Sequence, residues 1–342
     1  MTFMAENITS EMAELLRKYA ECTSDLDVAV GLRPSGTIHL GNMATMVLAG
    51  ILAHKLGRDS RVNTTICDLD FPELTEWNIY REGYVKFFRD IPDKHDCHPN
   101  MLEHAADNIY FFTSSIEKAL GIRYQVQFLS DVQNQPGFRH SLKNIIETPG
   151  LMKQLLPSVP KDRVLVYPIC PNCRTCDHHA TKYRDGNLFT RCTNPECPVD
   201  EHDMKIDDCS RDLAVHYLID PLRDRAAYPK SKFHVFGGDY RDIHGGGISK
   251  IEKIVQVMGV ACPNDIPEIL IGPMFYAKDG TKMSKTRENG LTLENLKNYF
   301  GSEYQSRVLQ LMQYITEREM KNVDYKIVED VLFKGLLIPP IH

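Results

Sequence analysis

The chain has 342 residues, of which 42% are hydrophobic and 25% are charged, and its formal net charge is −6. This length fits two domains or one enlarged α/β domain, and the ordinary composition excludes collagen-like, coiled-coil and disordered classes. The sequence has no run of about 18 apolar residues and no signal-peptide pattern, so we expect a cytoplasmic protein with no membrane partner. The mild acidity argues against a protein that coats nucleic acid in general, but it is compatible with a local basic channel.

The first part of the chain alternates between predicted helices and strands. An amphipathic stripe predicts a helix over residues 9–21, and apolar segments predict helices over 42–56, ending at Gly57, and over 112–120. Short apolar runs predict buried strands over 28–30, 61–66 and 124–129. Strands that alternate with helices at this spacing predict βαβ units and a parallel sheet.

The alternation breaks between about residues 149 and 232, a stretch rich in Pro and Cys that we interpret as an insertion. The pattern then resumes with predicted elements in the order strand, helix, strand, at 234–236, 249–258 and 269–274. Beyond Lys285 the sequence predicts helices that continue through Tyr314.

The insertion contains a cluster of cysteines with metal-ligand spacing. The two pairs are Cys170-x2-Cys173 and Cys192-x4-Cys197. Two such pairs on two turns, joined by a hairpin over 181–190 that turns at Asp185-Gly186, can direct four thiolates at one tetrahedral Zn²⁺. Cys176 is a fifth candidate, and its spacing from the first pair also resembles that of iron–sulfur proteins.

Two segments far apart in the sequence carry groups suited to a nucleotide. The first, residues 34–42, has the sequence PSGTIHLGN and lies between a predicted strand and an apolar helix. It brings His39 and Asn42 to a helix N-terminus, where the dipole and the free N–H groups favour an anion. Gly36 and Gly41 leave room for a nucleotide to approach the backbone.

The second segment, residues 282–286, has the sequence KMSKT and follows Asp279-Gly280. Its two ammonium groups and its hydroxyl, on a loop that begins with Gly, suit a triphosphate on which charge develops. A single His beside a Gly, or a single Lys-rich loop, is more commonly structural or solvated. The two segments are therefore interpreted together.

In this order, and in an α/β frame, the two segments resemble the signature sequences of class I aminoacyl-tRNA synthetases. Residues 39–42 match the HIGH signature with Asn last, and residues 282–286 match KMSKS with Thr last. Gly237-Gly238-Asp239 stands where the family has a ribose-binding segment. Together with the Cys-pair insertion and the glycines at 245–247, it is most similar to class I lysyl-tRNA synthetase.

The resemblance implies a Rossmann-like, HUP-type parallel sheet with a zinc-ribbon insertion and a short helical tail. The implied parts are the first half of the nucleotide-binding fold with its N-terminal helix, the connecting insertion, the second half of the fold, and the tail. Their expected bounds are 1–148, 149–232, 233–286 and 287–342.

The resemblance also implies that ATP, with Mg²⁺, activates an amino acid to an aminoacyl-adenylate, which is then transferred to an acceptor. The implied catalytic residues are His39, Asn42, Lys282 and Lys285. The implied ATP-binding residues are Gly36, Gly41, Gly237, Asp239, Met283 and Ser284. The implied ligands of a structural Zn²⁺ are Cys170, Cys173, Cys192 and Cys197.

Four further residues are candidates for binding the amino acid. Asp68 and Asp70 end the second strand, where a carboxylate can hold an ammonium group or cap the following turn. Arg33 can pair with a carboxylate or a phosphate, or it can brace its loop. Tyr240 stands where the similar family has His. The acids and the family resemblance favour lysine as the substrate.

Only 56 residues follow Thr286, carrying 7 Lys and Arg against 8 Asp and Glu. We therefore expect no anticodon-binding domain and no basic arm for RNA in this segment. Three hypotheses remain open at this stage. They are a truncated synthetase that charges a tRNA acceptor end, a free-standing ligase with a non-tRNA acceptor, and a catalytically silent regulatory module. The sequence leaves the oligomeric state open.

Overall fold

The structure, a computed structural model, describes most of the chain. The described residues are 10–19, 26–57, 59–70, 87–93, 96–147, 163–164, 166–175, 181–192, 194–205, 213–215, 228, 231–240, 250–261, 266–283 and 289–335. Cys176, Ser284, Lys285 and Thr286 lie outside these ranges, so the predictions made for them have no structural counterpart.

The helices and strands are numbered in chain order. The helices are α1 (Ser10–Tyr19), α2 (Leu40–Leu56), α3 (Met101–Leu120), α4 (Leu129–Gln133), α5 (Pro136–Ile146), α6 (Lys250–Ala261), α7 (Leu293–Phe300), α8 (Tyr304–Glu317) and α9 (Tyr325–Val328). The strands are β1 (Asp27–Leu32), β2 (Arg61–Ile66), β3 (Arg123–Phe128), β4 (Arg163–Val164), β5 (Val166–Pro168), β6 (Thr181–Arg184), β7 (Asn187–Arg191), β8 (Glu201–Lys205), β9 (Leu213–Val215), β10 (Ser231–Phe236), β11 (Glu268–Ile271), β12 (Met274–Phe275) and β13 (Asn322–Val323). Single turns of 3-10 helix occur at Phe88–Asp90, Gly238–Tyr240 and Gly301–Glu303, and a π-helical turn occurs at Glu329–Phe333.

The central feature is a five-stranded sheet in the order β11-β10-β1-β2-β3, in which every neighbouring pair is parallel. The predicted α/β fold with a parallel sheet is therefore confirmed. The chain order changes direction at β1, since β2 lies on one side of it and β10 on the other. In open α/β sheets this arrangement leaves a crevice beyond the carboxyl ends of the strands, where ligands bind.

Helix α2 carries the first signature segment on its N-terminus and is buried on nearly every side. Its neighbours are the sheet, α3 and α8, so it has no polar face and no amphipathic stripe. Helices α7, α8 and α9 pack into the same apolar core through buried side chains such as Leu296, Leu311 and Val328. The predicted helical tail is thus part of the same apolar core as α2 and the parallel sheet.

The predicted strand over 269–274 is wrong in one respect, because the strand is interrupted at Gly272-Pro273. Strand β11 ends at Ile271, and after Gly272 and Pro273 the chain forms β12 (Met274–Phe275), which pairs with β13 near the C-terminus. Pro273 has no N–H group for a sheet ladder, and its carbonyl passes close to Gly238, where an added Cβ would lie 2.5 Å from the oxygen.

The insertion contains an antiparallel sheet in the order β4-β6-β7-β8. Asp185 and Gly186 both have positive φ, 50° and 82° respectively, as a two-residue hairpin turn of type I′ requires. The hairpin predicted over 181–190 is therefore present, as β6 and β7. Among the described residues, no helix is long and apolar enough to cross a membrane.

We expect Gly238→Ala to lower the free energy of unfolding by about 1–3 kcal/mol, as for other overpacking substitutions. The new methyl group meets backbone atoms, namely Pro273 O at 2.5 Å and Met274 N at 2.7 Å, which cannot rotate away. Gly259→Ala in α6 is the control, because its Cβ would meet only the tip of Ile266 at 3.6 Å. Urea unfolding of both variants measures the difference, and equal midpoints for the two would contradict the packing argument.

Candidate active site and metal clusters

The first signature segment is held by a capping box at the start of α2. The Asn42 N–H donates to Nδ1 of His39 at 3.2 Å, and the His39 N–H donates to Oδ1 of Asn42 at 3.3 Å. Because Nδ1 accepts a hydrogen bond, the neutral His39 ring carries its proton on Nε2. The cap therefore fixes both the position of the ring and its tautomer.

Two glycines allow this arrangement. A Cβ on Gly41 would lie 2.8 Å from Cε1 of His39, so the ring occupies the space that a side chain would need. Gly36 has a φ of +97°, in the region that side-chain-bearing residues rarely adopt. The structure thus gives a conformational reason for Gly36 and a steric reason for Gly41.

The first segment is paired with the chain that follows the second segment. Leu40 N donates to Leu291 O at 2.8 Å, and Leu293 N donates to Ile38 O at 2.9 Å, which forms an antiparallel bridge between His39 and Thr292. Thr292 is itself the N-cap of α7, in a second capping box with Asn295. The N-termini of α2 and α7 therefore lie side by side.

A backbone hairpin positions the start of the second segment. Met283 N donates to Phe275 O at 2.9 Å, Ala277 N donates to Thr281 O at 2.7 Å, and Tyr276 and Lys282 form a bridge. The buried Met283 side chain fixes this end of the loop in the core.

The end of β10 contributes Asp239 to the same region. Lys282 Nζ lies 4.0 Å from Oδ2 of Asp239, and both side chains are about half exposed. A Cβ on Gly237 would lie 2.5 Å from Oδ1 of Asp239 and 3.9 Å from Oγ1 of Thr45 in α2. The described residues of both segments, together with Gly237 and Asp239, are therefore gathered at the carboxyl end of the sheet.

The four candidate amino-acid-binding residues have different surroundings. Asp68 is buried and accepts a hydrogen bond from Ser130 N at 2.9 Å, so it caps the turn into α4. Burial raises the pKa of Asp68, against the effect of the Ser130 hydrogen bond. Asp70 and Arg33 are half-buried in loops after β2 and β1, whereas the Tyr240 ring packs on Phe236 with ring centroids 4.7 Å apart.

The sequence analysis missed a polar row on the sheet beside this site. Gly31, Thr65 and Gln127 are register partners on β1, β2 and β3, so they face the same side of the sheet. Gly31 is exposed although it lies on the central strand. The Tyr228 hydroxyl donates to Oε1 of Gln127 at 3.2 Å and lies 3.5 Å from Oγ1 of Thr65. Sheet register, which short apolar runs do not specify, is what brings these residues together.

The four predicted cysteine ligands converge. Cys170 Sγ lies 3.7 Å from Cys197 Sγ, Cys173 Sγ lies 3.4 Å from Cys192 Sγ, and the four sulfurs lie within 4.8 Å of one another. Zn–S bonds of about 2.3 Å in a tetrahedron place sulfurs about 3.8 Å apart. Hydrogen bonds from Thr175 lower the pKa of Cys173 to about 6, although burial opposes this shift. The group can hold a zinc ion with little rearrangement.

A second cluster of possible metal ligands consists of Asp93, Cys97, His98 and His104, which we call the mixed cluster. Cys97 Sγ lies 3.1 Å from Asp93 Oδ2, 3.1 Å from His98 Nδ1 and 3.2 Å from His104 Nδ1. His98 Nε2 in turn contacts Asp107 Oδ2 at 2.9 Å. An outer carboxylate on the second ring nitrogen is typical of a metal-bound histidine. The sequence signal is a D-x3-C-H-x5-H pattern, which contains no pair of cysteines and was not predicted as a metal site.

The model of the family described as "tRNA synthetases class I (K)" matches residues 5–331. The chain belongs to this family. The expected resemblance is therefore confirmed, and the chain is a member of a family of ATP-dependent ligases.

Individual relatives in this class are distant. The lysine–tRNA ligase of Archaeoglobus fulgidus is 28% identical over 178 residues, which cover 48% of this chain and 35% of the ligase. The match thus spans about a third of the length of that relative. The tyrosyl-tRNA synthetase of A. fulgidus, complexed with L-tyrosine, is similar with a TM-score of 0.45 and 17% identity, covering 86% of this chain and 70% of its own. The tyrosyl-tRNA synthetase of Aeropyrum pernix has a TM-score of 0.42 and 15% identity, covering 86% and 68%.

We expect the purified protein to carry two zinc ions, because both clusters offer four ligand atoms at suitable separations. Cys173→Ser and Cys97→Ser should each remove about one equivalent. Cys67→Ser is the control, since the buried Cys67 belongs to neither cluster. Mass spectrometry of the metals measures the content. Iron in place of zinc, or a content that neither ligand variant changes, would contradict the expectation.

Proposed function

We propose that the chain activates an amino acid with ATP, forming an aminoacyl-adenylate and pyrophosphate, and transfers the aminoacyl group to the acceptor end of a tRNA. The observation that carries this proposal is the backbone pairing of the first signature segment with residues 291–293, which follow the second segment; Leu40 and Leu293 donate across this bridge. In a synthetase family member, this pairing brings the N-terminus of α2 against the chain leaving the KMSKT loop.

ATP would lie across the carboxyl end of the sheet, with its phosphates at the N-terminus of α2. Gly36 and Gly41 allow close approach, and Gly237 and Asp239 are suited to the ribose. Asn42 holds the His39 ring so that it offers its Nε2–H to a phosphate oxygen.

The second segment acts on the charge that develops during reaction. The substrate carboxylate attacks the α-phosphorus, the bond to the β-phosphate oxygen breaks, and pyrophosphate leaves. Lys282 and Lys285 stabilise the negative charge that accumulates on the leaving group, and Ser284 adds a hydroxyl donor. ATP would bring Mg²⁺ on its phosphates. Met283 is buried and holds the loop to the fold.

The amino acid would occupy the open face of the sheet above Gly31. The polar row of Thr65, Gln127 and Tyr228 lines one side of this space, while Arg33 and Asp70 lie in the loops at its edge. We propose lysine as the substrate, with Asp70 as the carboxylate for an ammonium group, Asp68 supporting the wall from its cap on Ser130, and Tyr240 bordering the pocket. The name of the A. fulgidus relative supports the choice of lysine.

The direct test is ATP–pyrophosphate exchange with each of the twenty amino acids, with and without bulk tRNA. Exchange with lysine followed by stable charging of tRNA is the expected result. Exchange with another amino acid would overturn the lysine assignment. Exchange without any tRNA charging would replace tRNA by another acceptor, and no exchange under any condition would contradict the activation step.

We expect Lys285→Ala to lower the exchange rate by about 10²–10³-fold, the usual loss when one charge-stabilising donor is removed. Lys326→Ala is the matched control, because it removes the same charge from an exposed position on α9. Equal rates for Lys285→Ala and the wild type would refute the role of the loop. An equal loss in both variants would indicate a general charge effect.

We expect Gly41→Ala to lower the exchange rate by about 10–100-fold while leaving stability nearly unchanged. The three atoms nearest to the new methyl group all belong to the His39 ring, the closest at 2.8 Å, and this side chain can rotate away. A double-mutant cycle with His39→Ala measures the coupling. If Gly41 acts through His39, the double variant is no slower than His39→Ala alone, whereas additive losses would contradict this mechanism.

A further inference from the structure

His104 links the mixed cluster to the first signature segment. The ring is buried, and its two nitrogens face different groups. Nδ1 lies 3.2 Å from Asp93 Oδ2 and 3.2 Å from Cys97 Sγ, inside the cluster. Nε2 lies 3.0 Å from Oγ1 of Thr37, two residues before His39. One imidazole therefore touches both the possible metal site and the loop that precedes α2.

Thr37 extends this contact to α7. The Thr37 hydroxyl donates to Oε1 of Glu294 at 3.4 Å. Glu294 is the second residue of α7 and follows directly on the bridge between His39 and Thr292. The chain of contacts His104, Thr37, Glu294 thus runs beside the backbone bridge and joins the same two segments through side chains.

The direction of these hydrogen bonds depends on which His104 nitrogen carries the proton. A metal ion bound at Nδ1 leaves the proton on Nε2, which then donates to Thr37. The Thr37 hydroxyl proton then points to Glu294. Without a metal, Nδ1–H donates to the Asp93 carboxylate, so Nε2 becomes an acceptor. Thr37 then gives its only proton to His104 and has none for Glu294.

We propose that His104 is a positioning residue: a zinc ion in the mixed cluster sets its tautomer so that Thr37 holds Glu294 and keeps the first signature segment paired with the start of α7. The catalytic consequence of this coupling rests on the proposed function. The coupling itself concerns only the bridge and is measurable without substrate. Thr37 and Glu294 are outside the metal ligands, so they can be changed without removing the ion.

The first experiment measures amide hydrogen exchange of the zinc-loaded full chain, in peptides that contain Leu40 and Leu293. Both amides donate across the bridge. Thr37→Val should speed their exchange by about fivefold, the effect of losing one hydrogen bond of ordinary net strength, with zinc content unchanged. Thr37→Ser, which keeps the hydroxyl, should restore slow exchange. Thr316→Val is the control, because its hydroxyl donates to Met312 O within α8 and, among the described residues, makes no hydrogen bond to the bridge.

The second experiment is a double-mutant cycle that combines loss of the metal ion with loss of the Thr37 hydroxyl. Cys97→Ser should remove the zinc of the mixed cluster and speed exchange at the same two amides, and adding Thr37→Val should cause little further change. Additive effects, or a wild-type rate of amide exchange in Thr37→Val, would overturn the proposal.

In pyrophosphate exchange, Thr37→Val should lower kcat about fivefold with little change in the KM for the amino acid, whereas a change in KM alone would contradict a positioning role. If the wild type shows no pyrophosphate exchange, the proposed function fails, while the amide measurements still decide the coupling.

Discussion

The two backbone hydrogen bonds between residues 38–40 and 291–293 are the constraint on which the site depends. They join segments about 250 residues apart and connect two N-caps, His39 and Thr292. Each cap fixes the first turn of its helix, so the bridge also fixes the relative position of two helix N-termini. A loop that leaves β12 and returns to this bridge is anchored at both ends. Lys282, in the described part of this loop, lies 4.0 Å from Asp239.

The bridge is in turn supported by the burial of α2. This helix has apolar residues all round because the sheet covers one side while α3 and α8 cover others. The helices that follow the KMSKT loop therefore complete the core that positions the HIGH-like segment. A substitution that loosens α8, for example at the buried Leu311 or Met312, would reach the site through α2.

The sequence predicted those features whose signal is local. Apolar runs predicted the five strands of the central sheet, the Cys spacing predicted the convergent sulfurs, and Asp185-Gly186 predicted a turn that the structure contains. Features that depend on distant pairing were not predictable in this way. The partner of His39 is Thr292, and β12 pairs with β13 from the C-terminal part of the chain, so no window of sequence contains either pair. The mixed cluster was missed because its ligands share no pair motif.

Residues 87–93 connect the two candidate metal sites, the group of four cysteines and the mixed cluster. Phe87 and Phe88 insert into two different apolar cores. Asp90 contacts Arg174, the residue after Cys173, with 3.5 Å between Asp90 Oδ1 and Arg174 Nε. Asp93, three residues later, belongs to the mixed cluster. The regular structure of residues 87–93 is a single 3-10 turn. Side-chain contacts at both ends, rather than the hydrogen bonds of a sheet, therefore position this segment. Metal binding by Asp93 and His104 would tie this segment to α3, and His104 also contacts Thr37, just before α2.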